Sequence, residues 1–400
     1  PFFMHSVNSK NQSIFVLLSS RSMSIIRRGR KRGVTQMALK PKEHFHGSDL
    51  EKIEAVYGIK KEDIISFSAN VNPLGVSFRL KETLTNHIDA ITTYPDREYT
   101  SLRKCIADYV HTNYKNIVVG NGSTELISLF IQITHPMKAL IVGPTYSEYE
   151  REVAMGGGRS HYFSLTEASE FELDTKALTE ELSANVDLLI LCNPNNPTSS
   201  VIKRQQMREI LDYCKRKSIT VLVDETYVEF AEEPDEVTAI PLTEYYNNIV
   251  ILRGISKFFA APGLRLGYAI CGNRDLLNEI NQKKNPWTIN SLAAIAGEIM
   301  FQDEDYIKKT RELISSERAR ICARLDESPN FKVYHAHANF VLVKITTDKF
   351  TSEDAFDACI RKNLMIRDCS TFPFLNNKYI RLCFMMPEQN DALLEVLLGL

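Results

Sequence analysis

The stretch VDLLILCNPNNPT, residues 186–198, is a continuous apolar run that ends abruptly in asparagine and proline. The segment QQMREILDYCKRK follows at residues 205–217, and ITVLVDE is the next apolar run. The apolar residues between the two runs form one helical stripe, consisting of Met207, Ile210, Leu211 and Cys214. Strands that are apolar at every position are buried on both faces, so this alternation predicts parallel strands covered by helices.

The same alternation extends over residues 115–275. Its other apolar runs are NIVVGNG, ALIVGPTYSEY, NNIVILRG and LRLGYAIC. Sheets of this kind bind ligands beyond the carboxyl ends of their strands. The residues expected at those ends are Gly120 to Gly122, Asn193 to Thr198, Asp224, Glu225, Ser256 and Lys257.

The remainder of the chain predicts a second, smaller domain. Residues 285–325 have the pattern of one long helix with Pro286 near its start, and residues 331–384 contain short strands around an acid-flanked helix. We therefore predict an α/β fold. Its large domain, residues 86–300, has a mostly parallel central sheet flanked by helices, and residues 41–85 and 301–400 form a small α+β domain.

Composition excludes several classes of protein. Of the 400 residues, 44% are apolar and 24% are charged, and the net charge is -2, which is typical of a soluble enzyme and argues against a nucleic-acid partner. No apolar run is long enough to span a membrane. The eight cysteines have no CxxC spacing, so we expect no metal site, reduced thiols and a cytoplasmic location.

The first 36 residues are basic and rich in serine, and the first acidic residue is Glu43. Three interpretations remain open. The segment is a disordered head or linker, a remnant that precedes a true start at Met37, or an organellar transit peptide.

Lys257 lies in GISKFFAAPGLRLGY, residues 254–268, and is followed by two phenylalanines and two alanines. A lone lysine in a loop is usually just solvated. Apolar surroundings would instead lower its pKa and make the amine a nucleophile at neutral pH, as a Schiff-base lysine requires. Pyridoxal phosphate also needs a carboxylate at its ring nitrogen, which Asp224 at a strand end would supply unless it is only a helix cap or turn acid.

A phosphate group needs donors, and GNGSTELISLF places Gly122, Ser123 and Thr124 at the start of a helix. A simple Ser/Thr helix cap is the alternative. Other residues suit the same cofactor, although each alone is a weak indication. They are Arg265 and Ser256 for the phosphate, Asn196 and Tyr227 for the ring oxygen, and Tyr146 for the ring face.

The motifs NPNNPT, VDETY and SKFFAAPGLRLGY, in this order, resemble the class I and II aminotransferase superfamily, the fold type I pyridoxal phosphate enzymes. The resemblance runs from about His46 to the C-terminus. It implies a Schiff base on Lys257, Asp224 and Tyr227 as catalytic partners, and the cofactor contacts suggested above. It also implies a homodimer in which Tyr94 reaches the neighbouring subunit's phosphate. Family members usually have glycine where this chain has Ser199, which puts the local turn in question.

This chain is similar to two subfamilies, histidinol-phosphate aminotransferase and L-threonine O-3-phosphate decarboxylase, a cobalamin-pathway enzyme. Two stretches are closer to the decarboxylase, and these are HFHGSDLEKIEAVYGI and LMIRDCSTFPFLNNKYIRL. The resemblance implies a phospho-amino-acid substrate. It assigns substrate binding to His46, Gly47, Asn72, Arg367 and Arg381. Threonine phosphate and serine phosphate differ by one methyl group and are not separated here.

A third interpretation is a regulatory module, since aminotransferase-like domains also occur in transcription regulators. The basic head would then be a DNA-binding arm. It is too short for a winged helix and lacks the apolar periodicity of one.

Overall fold

The computed structural model describes residues 45, 47–182 and 185–400. The predicted basic head and His46 lie outside these residues. The helices are α1 Leu50–Tyr57, α2 Phe78–Asn86, α3 Thr100–Val110, α4 Gly122–Thr134, α5 Glu148–Met155, α6 Thr175–Glu181, α7 Arg204–Arg216, α8 Pro234–Val237, α9 Arg274–Lys283, α10 Ser291–Met300, α11 Glu304–Asp326, α12 Ser352–Ile360 and α13 Pro387–Leu398. The strands are β1 Ile65–Ser66, β2 Ile117–Gly120, β3 Lys138–Gly143, β4 Arg159–Ser164, β5 Leu188–Cys192, β6 Thr220–Asp224, β7 Ile249–Gly254, β8 Gly267–Cys271, β9 Phe331–Val333, β10 Phe340–Ile345, β11 Leu364–Met365, β12 Arg367–Asp368 and β13 Tyr379–Cys383.

Seven strands form the central sheet in the order β2-β8-β7-β6-β5-β3-β4. Strand β8 is antiparallel to both of its neighbours, and every other pair is parallel. Because β8 is the one reversed strand, β2, β7, β6, β5 and β3 all point their carboxyl ends to the same edge. The predicted α/β fold type I with a mostly parallel central sheet is confirmed.

Both faces of this sheet are apolar, as the continuous strand pattern predicts. On β6, Leu222 packs into a core with helices α4, α5 and α9, whereas Val221 and Val223 face the opposite core, which includes α7. The predicted stripe of α7 is also confirmed, since its four apolar residues are fully buried. Helices on both faces leave only the strand ends accessible to a ligand.

The C-terminal segment forms a second, antiparallel sheet in the order β12-β13-β10-β9. The long helix predicted over residues 285–325 is wrong, because α10 ends at Met300 and α11 begins at Glu304. The Asp303 side chain accepts a hydrogen bond from the backbone N–H of Tyr306 and so starts a new helix. Strand β1 pairs with β11, so the segment around residue 65 packs against the C-terminal part of the chain. The division into domains at residues 86 and 300 stays a prediction.

Among the residues that the structure describes, every helix is too short or too polar to cross a lipid bilayer. The same part of the chain contains no group of three or more histidines, cysteines or acids suited to hold a metal ion.

Candidate active site

Five strand ends meet at one edge of the central sheet and bring together residues far apart in sequence. Strand β7 leads through Ile255 and Ser256 to Lys257, and neighbouring β6 ends at Asp224. Strand β5 leads into the loop that holds Asn196. Strand β8 runs antiparallel to β2, so Arg265, which directly precedes β8, lies beside the start of α4, the helix that follows β2.

Lys257 is partly buried, and its ammonium group donates a hydrogen bond to the Ala69 carbonyl oxygen at 2.7 Å. The four residues that follow it are all buried, which agrees with the predicted apolar surroundings. Burial, reinforced by the positive charge of Arg381, lowers the pKa of Lys257 to about 8. At pH 7 about a tenth of this amine is therefore neutral and nucleophilic, far more than for an ordinary lysine.

Asp224 is buried, and donors hold both of its carboxylate oxygens. The Tyr149 hydroxyl donates to Oδ2 at 2.7 Å, and Oδ1 accepts from the Thr226 backbone N–H at 2.9 Å and the Thr226 hydroxyl at 2.5 Å. Burial raises the pKa of Tyr149 well above its ordinary value, so this phenol remains a donor. The carboxylate is thereby fixed in orientation, as a partner for a ring N–H requires.

Sequence reasoning did not identify Tyr149. The signal was present in TYSEY, residues 145–149, because Tyr149 lies three residues after Tyr146 on the same turn into α5. The two rings meet edge to face with centroids 5.6 Å apart. Tyr146 is the more exposed of the two, and its predicted position on the ring face of the cofactor stays a prediction.

Tyr227 and Asn196 lie close to Arg381. The Arg381 guanidinium donates to Asn196 Oδ1 and, at 2.5 Å, to the Ser68 carbonyl oxygen. The Tyr227 hydroxyl accepts a hydrogen bond from Asn70 Nδ2 at 3.4 Å, and burial raises the pKa of this phenol. A phenol that stays protonated can donate to an oxygen on a bound ring.

The start of α4 forms a narrow cradle. Gly122 has a φ of +79°, and a Cβ atom there would lie 2.5 Å from Arg265 Nη2. A Cβ atom on Gly267 would lie 2.4 Å from the Ser123 backbone nitrogen. The two glycines therefore leave the space in which Arg265, Ser123 and Thr124 surround the free N–H groups of a helix N-terminus, the arrangement that binds phosphate.

Glu125 in this first turn does not fill the cradle, because its carboxylate is already used. It accepts from the Asn121 backbone N–H at 2.6 Å and from the Thr288 hydroxyl at 2.6 Å and 2.7 Å. The acid thus ties the loop that precedes α10 to the start of α4 and leaves the other N–H groups available.

Arg367 and Arg381 are directly opposite each other in the β12–β13 pair, and both are buried. Arg367 donates to the Phe45 carbonyl oxygen and, at 3.0 Å, to the Thr371 hydroxyl. Burial, reinforced by the charge of Arg381, lowers the pKa of Arg367. The hydrogen-bond partners of both guanidiniums are neutral oxygens, so this pair presents positive charge that an anionic ligand would neutralise.

The remaining predicted residues behave differently. Gly47 lies against Ser68, since a Cβ atom on Gly47 would come within 2.4 Å of the Ser68 carbonyl oxygen, and this explains the glycine. His46 lies outside the described residues, although Phe45 and Gly47 on either side of it contact the site. Tyr94 is 80% exposed, with its ring centroid 4.8 Å from that of Trp287.

The side chain of Asn72 is occupied by protein groups. Its Nδ2, which has two hydrogens, lies within hydrogen-bond distance of three oxygens: the Phe258 carbonyl at 2.8 Å, the Tyr306 hydroxyl at 2.9 Å and the Thr310 hydroxyl at 2.8 Å. Its Oδ1 accepts from the Leu74 N–H at 3.1 Å. Contact with substrate would break one of these bonds, and the predicted role of Asn72 stays a prediction.

Other polar residues that the motifs did not indicate line the site. Three of their buried atoms, Ser68 Oγ, Asn70 Oδ1 and Asn339 Oδ1, have no hydrogen-bond partner among the described residues, and the same holds for Nε of Arg381, which was predicted. Buried polar atoms are almost always paired, so this cluster indicates space that a polar ligand or water fills. These residues suit a site for pyridoxal phosphate and an anionic substrate.

Ser199 resolves the question raised by the missing glycine. Its φ is +62°, in the left-handed region that favours glycine. The buried Ser199 hydroxyl accepts from the backbone N–H groups of His337 at 2.9 Å and Ala338 at 2.7 Å. These bonds offset the conformational cost and tie the NPNNPT loop to the segment that leads through Asn339 into β10.

We expect Ser199→Ala to destabilise the protein by about 1–3 kcal/mol, because it leaves the buried Ala338 N–H unpaired at a strained position. The His337 N–H would keep only its longer bond, 3.2 Å, to the Ser199 carbonyl oxygen. Urea unfolding followed by circular dichroism measures this free energy. Ser199→Gly removes the strain together with the hydroxyl, so it should lie between Ser199→Ala and the parent. Equal stability of Ser199→Ala and the parent would show that these bonds contribute nothing.

Known proteins resemble most of the described chain. The family model described as aminotransferase class I and II matches residues 62–397. A threonine-phosphate decarboxylase of Salmonella typhimurium is 34% identical, over 88% of this chain and 95% of its own. A putative threonine-phosphate decarboxylase of Caldanaerobacter subterraneus subsp. tengcongensis is 35% identical, over 83% and 89%. A crystal structure of the histidinol-phosphate aminotransferase from Clostridium acetobutylicum is 31% identical, with a TM-score of 0.78 over 83% of this chain and 98% of that one.

Proposed function

Because this chain belongs to the aminotransferase class I and II family, we propose that it is a decarboxylase of a phosphorylated amino acid, L-threonine O-phosphate or L-serine O-phosphate. Its cofactor is pyridoxal 5'-phosphate. The residues proposed to hold the cofactor are Gly122, Ser123, Thr124, Tyr146, Asn196, Asp224, Tyr227, Ser256, Lys257 and Arg265.

The observation that carries the proposed substrate is the buried pair of arginines. Arg367 and Arg381 face each other across two strands, and within the described part of the chain their guanidiniums donate hydrogen bonds to neutral oxygens. A phospho-amino acid has two anionic groups, and the planar guanidinium suits both carboxylate and phosphate. The relatives named as threonine-phosphate decarboxylases support the same choice.

The chemistry of the reaction is divided between the cofactor and the protein. The bound cofactor supplies an electron-accepting ring for the bond that breaks at Cα. Asp224 places a negative charge for the ring nitrogen, and Lys257 supplies the amine that the cofactor bonds. Arg367 and Arg381 would hold the two anionic groups of the substrate and so orient its carboxylate for loss as CO2, and the Lys257 amine would hold a proton for Cα.

We expect the purified enzyme with pyridoxal phosphate to release one CO2 per O-phosphothreonine consumed, without needing 2-oxoglutarate. Release of labelled CO2 and loss of 2-oxoglutarate should be measured side by side with O-phosphothreonine, O-phosphoserine and histidinol phosphate. Release of CO2 from neither amino acid would remove the decarboxylase proposal.

A histidinol-phosphate-type aminotransferase is the second candidate, since the crystal structure of such an enzyme shares 31% of its residues with this chain. Histidinol phosphate has no carboxylate, so this reaction would use the arginine pair for phosphate and, in turn, for glutamate or 2-oxoglutarate. Consumption of 2-oxoglutarate with histidinol phosphate, and no release of CO2, would establish this alternative.

We also propose a homodimer in which Tyr94 completes the partner's site. The segment around Tyr94 exposes large apolar side chains, and these are Phe78, Ile88, Ile91, Tyr94 and Trp287. Exposed apolar surface of this kind marks an interaction site, and the family resemblance implies that a second copy covers it. No nucleic-acid partner and a cytoplasmic location stay predictions.

We expect Ile91→Glu to convert the dimer to monomer and to weaken binding of the cofactor, because a charge would be buried at the interface. Sedimentation velocity and titration with pyridoxal phosphate measure the two effects. Met155→Glu is the matched control, since Met155 is exposed to a similar degree, 68% against 64%, outside this segment. A monomeric parent protein would contradict the proposal.

A further inference from the structure

Asn70 is a buried asparagine whose backbone lies in the left-handed region, with a φ of +54°. Asparagine tolerates this region better than most residues other than glycine. Backbone strain of this kind persists where surrounding contacts hold it, often at functional sites. None of the functional assignments above uses Asn70.

Two contacts hold the backbone beside this side chain. Asn339 Nδ2 donates to the Asn70 carbonyl oxygen at 3.0 Å, and Lys257 Nζ donates to the preceding carbonyl, that of Ala69, at 2.7 Å. Asn339, which directly precedes β10, therefore holds the Asn70 carbonyl group, and the reactive amine adjoins the residue before Asn70.

The amide of Asn70 is directed at the hydroxyl group of Tyr227. Asn70 Nδ2 donates to this oxygen at 3.4 Å, and Asn70 Oδ1 is buried with no hydrogen-bond partner among the described residues. The ring of Phe340, the residue after Asn339, packs edge to face against Tyr227 with centroids 4.9 Å apart. Asn339 and Phe340 together hold both members of the Asn70–Tyr227 pair.

A hydroxyl that accepts an N–H has its own proton left to donate in another direction. A hydrogen bond received by an O–H group also makes it a stronger donor, because linked hydrogen bonds polarise one another. We propose that Asn70 is a positioning residue that directs the Tyr227 proton at the ring oxygen of pyridoxal phosphate. The inference depends on the cofactor and on Tyr227 and is independent of which substrate the enzyme uses.

The test is the pH midpoint of the visible absorption change of the cofactor-bound enzyme. A proton donated to the ring oxygen stabilises its anionic form and lowers this midpoint. We expect Asn70→Gly to raise the midpoint by about 0.5 pH unit, which corresponds to the loss of one modest hydrogen bond. Glycine is favoured at a φ of +54°, so this variant should keep the fold and its melting temperature.

Asn70→Asp replaces the donor with an acceptor that competes for the Tyr227 proton. We expect this variant to raise the midpoint further than Asn70→Gly and to weaken binding of the cofactor. Asn363→Gly is the matched control, because Asn363 also has a positive φ, +63°, in the loop between α12 and β11. Its midpoint should equal that of the parent.

The role of Tyr227 is tested in the same series. Tyr227→Phe should raise the midpoint, and adding Asn70→Gly to Tyr227→Phe should raise it no further. A normal midpoint in Asn70→Gly, or an equal shift with and without Tyr227, would overturn the inference. A normal midpoint in Tyr227→Phe would also overturn it. None of these results depends on the decarboxylase proposal, which CO2 release decides separately.

Discussion

Lys257→Ala should lower turnover by about 10⁴-fold or more, because it removes both the nucleophile that bonds the cofactor and the group that carries the proton. Lys257 follows the carboxyl end of β7, the neighbour of the strand that ends at Asp224, and burial lowers the pKa of its amine to about 8. The substitution also removes one hydrogen bond, from the Lys257 amine to the Ala69 carbonyl oxygen. We therefore expect the fold to survive and the visible absorption of the cofactor-bound enzyme to change.

Steady-state kinetics, absorption spectra and thermal melting distinguish the chemical loss from unfolding. Lys284→Ala is the matched control, since burial also lowers the pKa of Lys284, a lysine in the loop after α9. This control should keep its turnover and spectrum. Normal turnover in Lys257→Ala would show that the proposed chemistry is wrong.

Replacing either Arg367 or Arg381 with alanine should lower kcat/KM for the phospho-amino acid by about 10²- to 10³-fold, the usual cost of removing one partner of a buried charge pair. Lysine variants should recover only part of this loss, because lysine keeps the charge but lacks the planar fork. The two single variants also reveal which arginine binds phosphate. Alanine at the arginine that binds phosphate should lower the enzyme's preference for O-phosphothreonine over threonine. Alanine at the other arginine should leave this preference unchanged.

Arg318→Lys is the control for changing a buried arginine. The Arg318 guanidinium donates to backbone carbonyl oxygens, those of Phe230, His337 and Ala338. This variant should lose stability and keep a kcat/KM close to that of the parent. If alanine at both Arg367 and Arg381 left kcat/KM unchanged, the anionic groups of the substrate would be bound elsewhere.

Much of the fold could be predicted from the sequence because the patterns that indicate its helices and strands are local. The α7 stripe and the continuous apolar strands depend only on the spacing of neighbouring residues. The prediction of one helix over residues 285–325 was wrong for a related reason. Its apolar periodicity continues across the break, and the cap at Asp303 separates two helices whose patterns are alike.

The candidate site was predictable where motifs lie next to strand ends, as for Lys257 and Asp224. Ser68, Asn70 and Asn339 were missed, because each is an ordinary polar residue in its own segment. Asn72 was chosen in preference to Asn70, although the structure surrounds Asn72 with scaffold contacts. A backbone angle such as the φ of Asn70 decides which of two similar side chains turns inward.

The sequence alone therefore determined the strands, the helices and the residues at the carboxyl ends of the strands, since these follow from spacing along one segment. Only the tertiary structure decided that Asn70, Tyr227, Lys257 and Arg381 share one site. They come from four segments spread over more than 300 residues, and their meeting depends on which strands pair and in which register. Pairing is decided by the burial of both sheet faces together, which no single stretch of the chain contains.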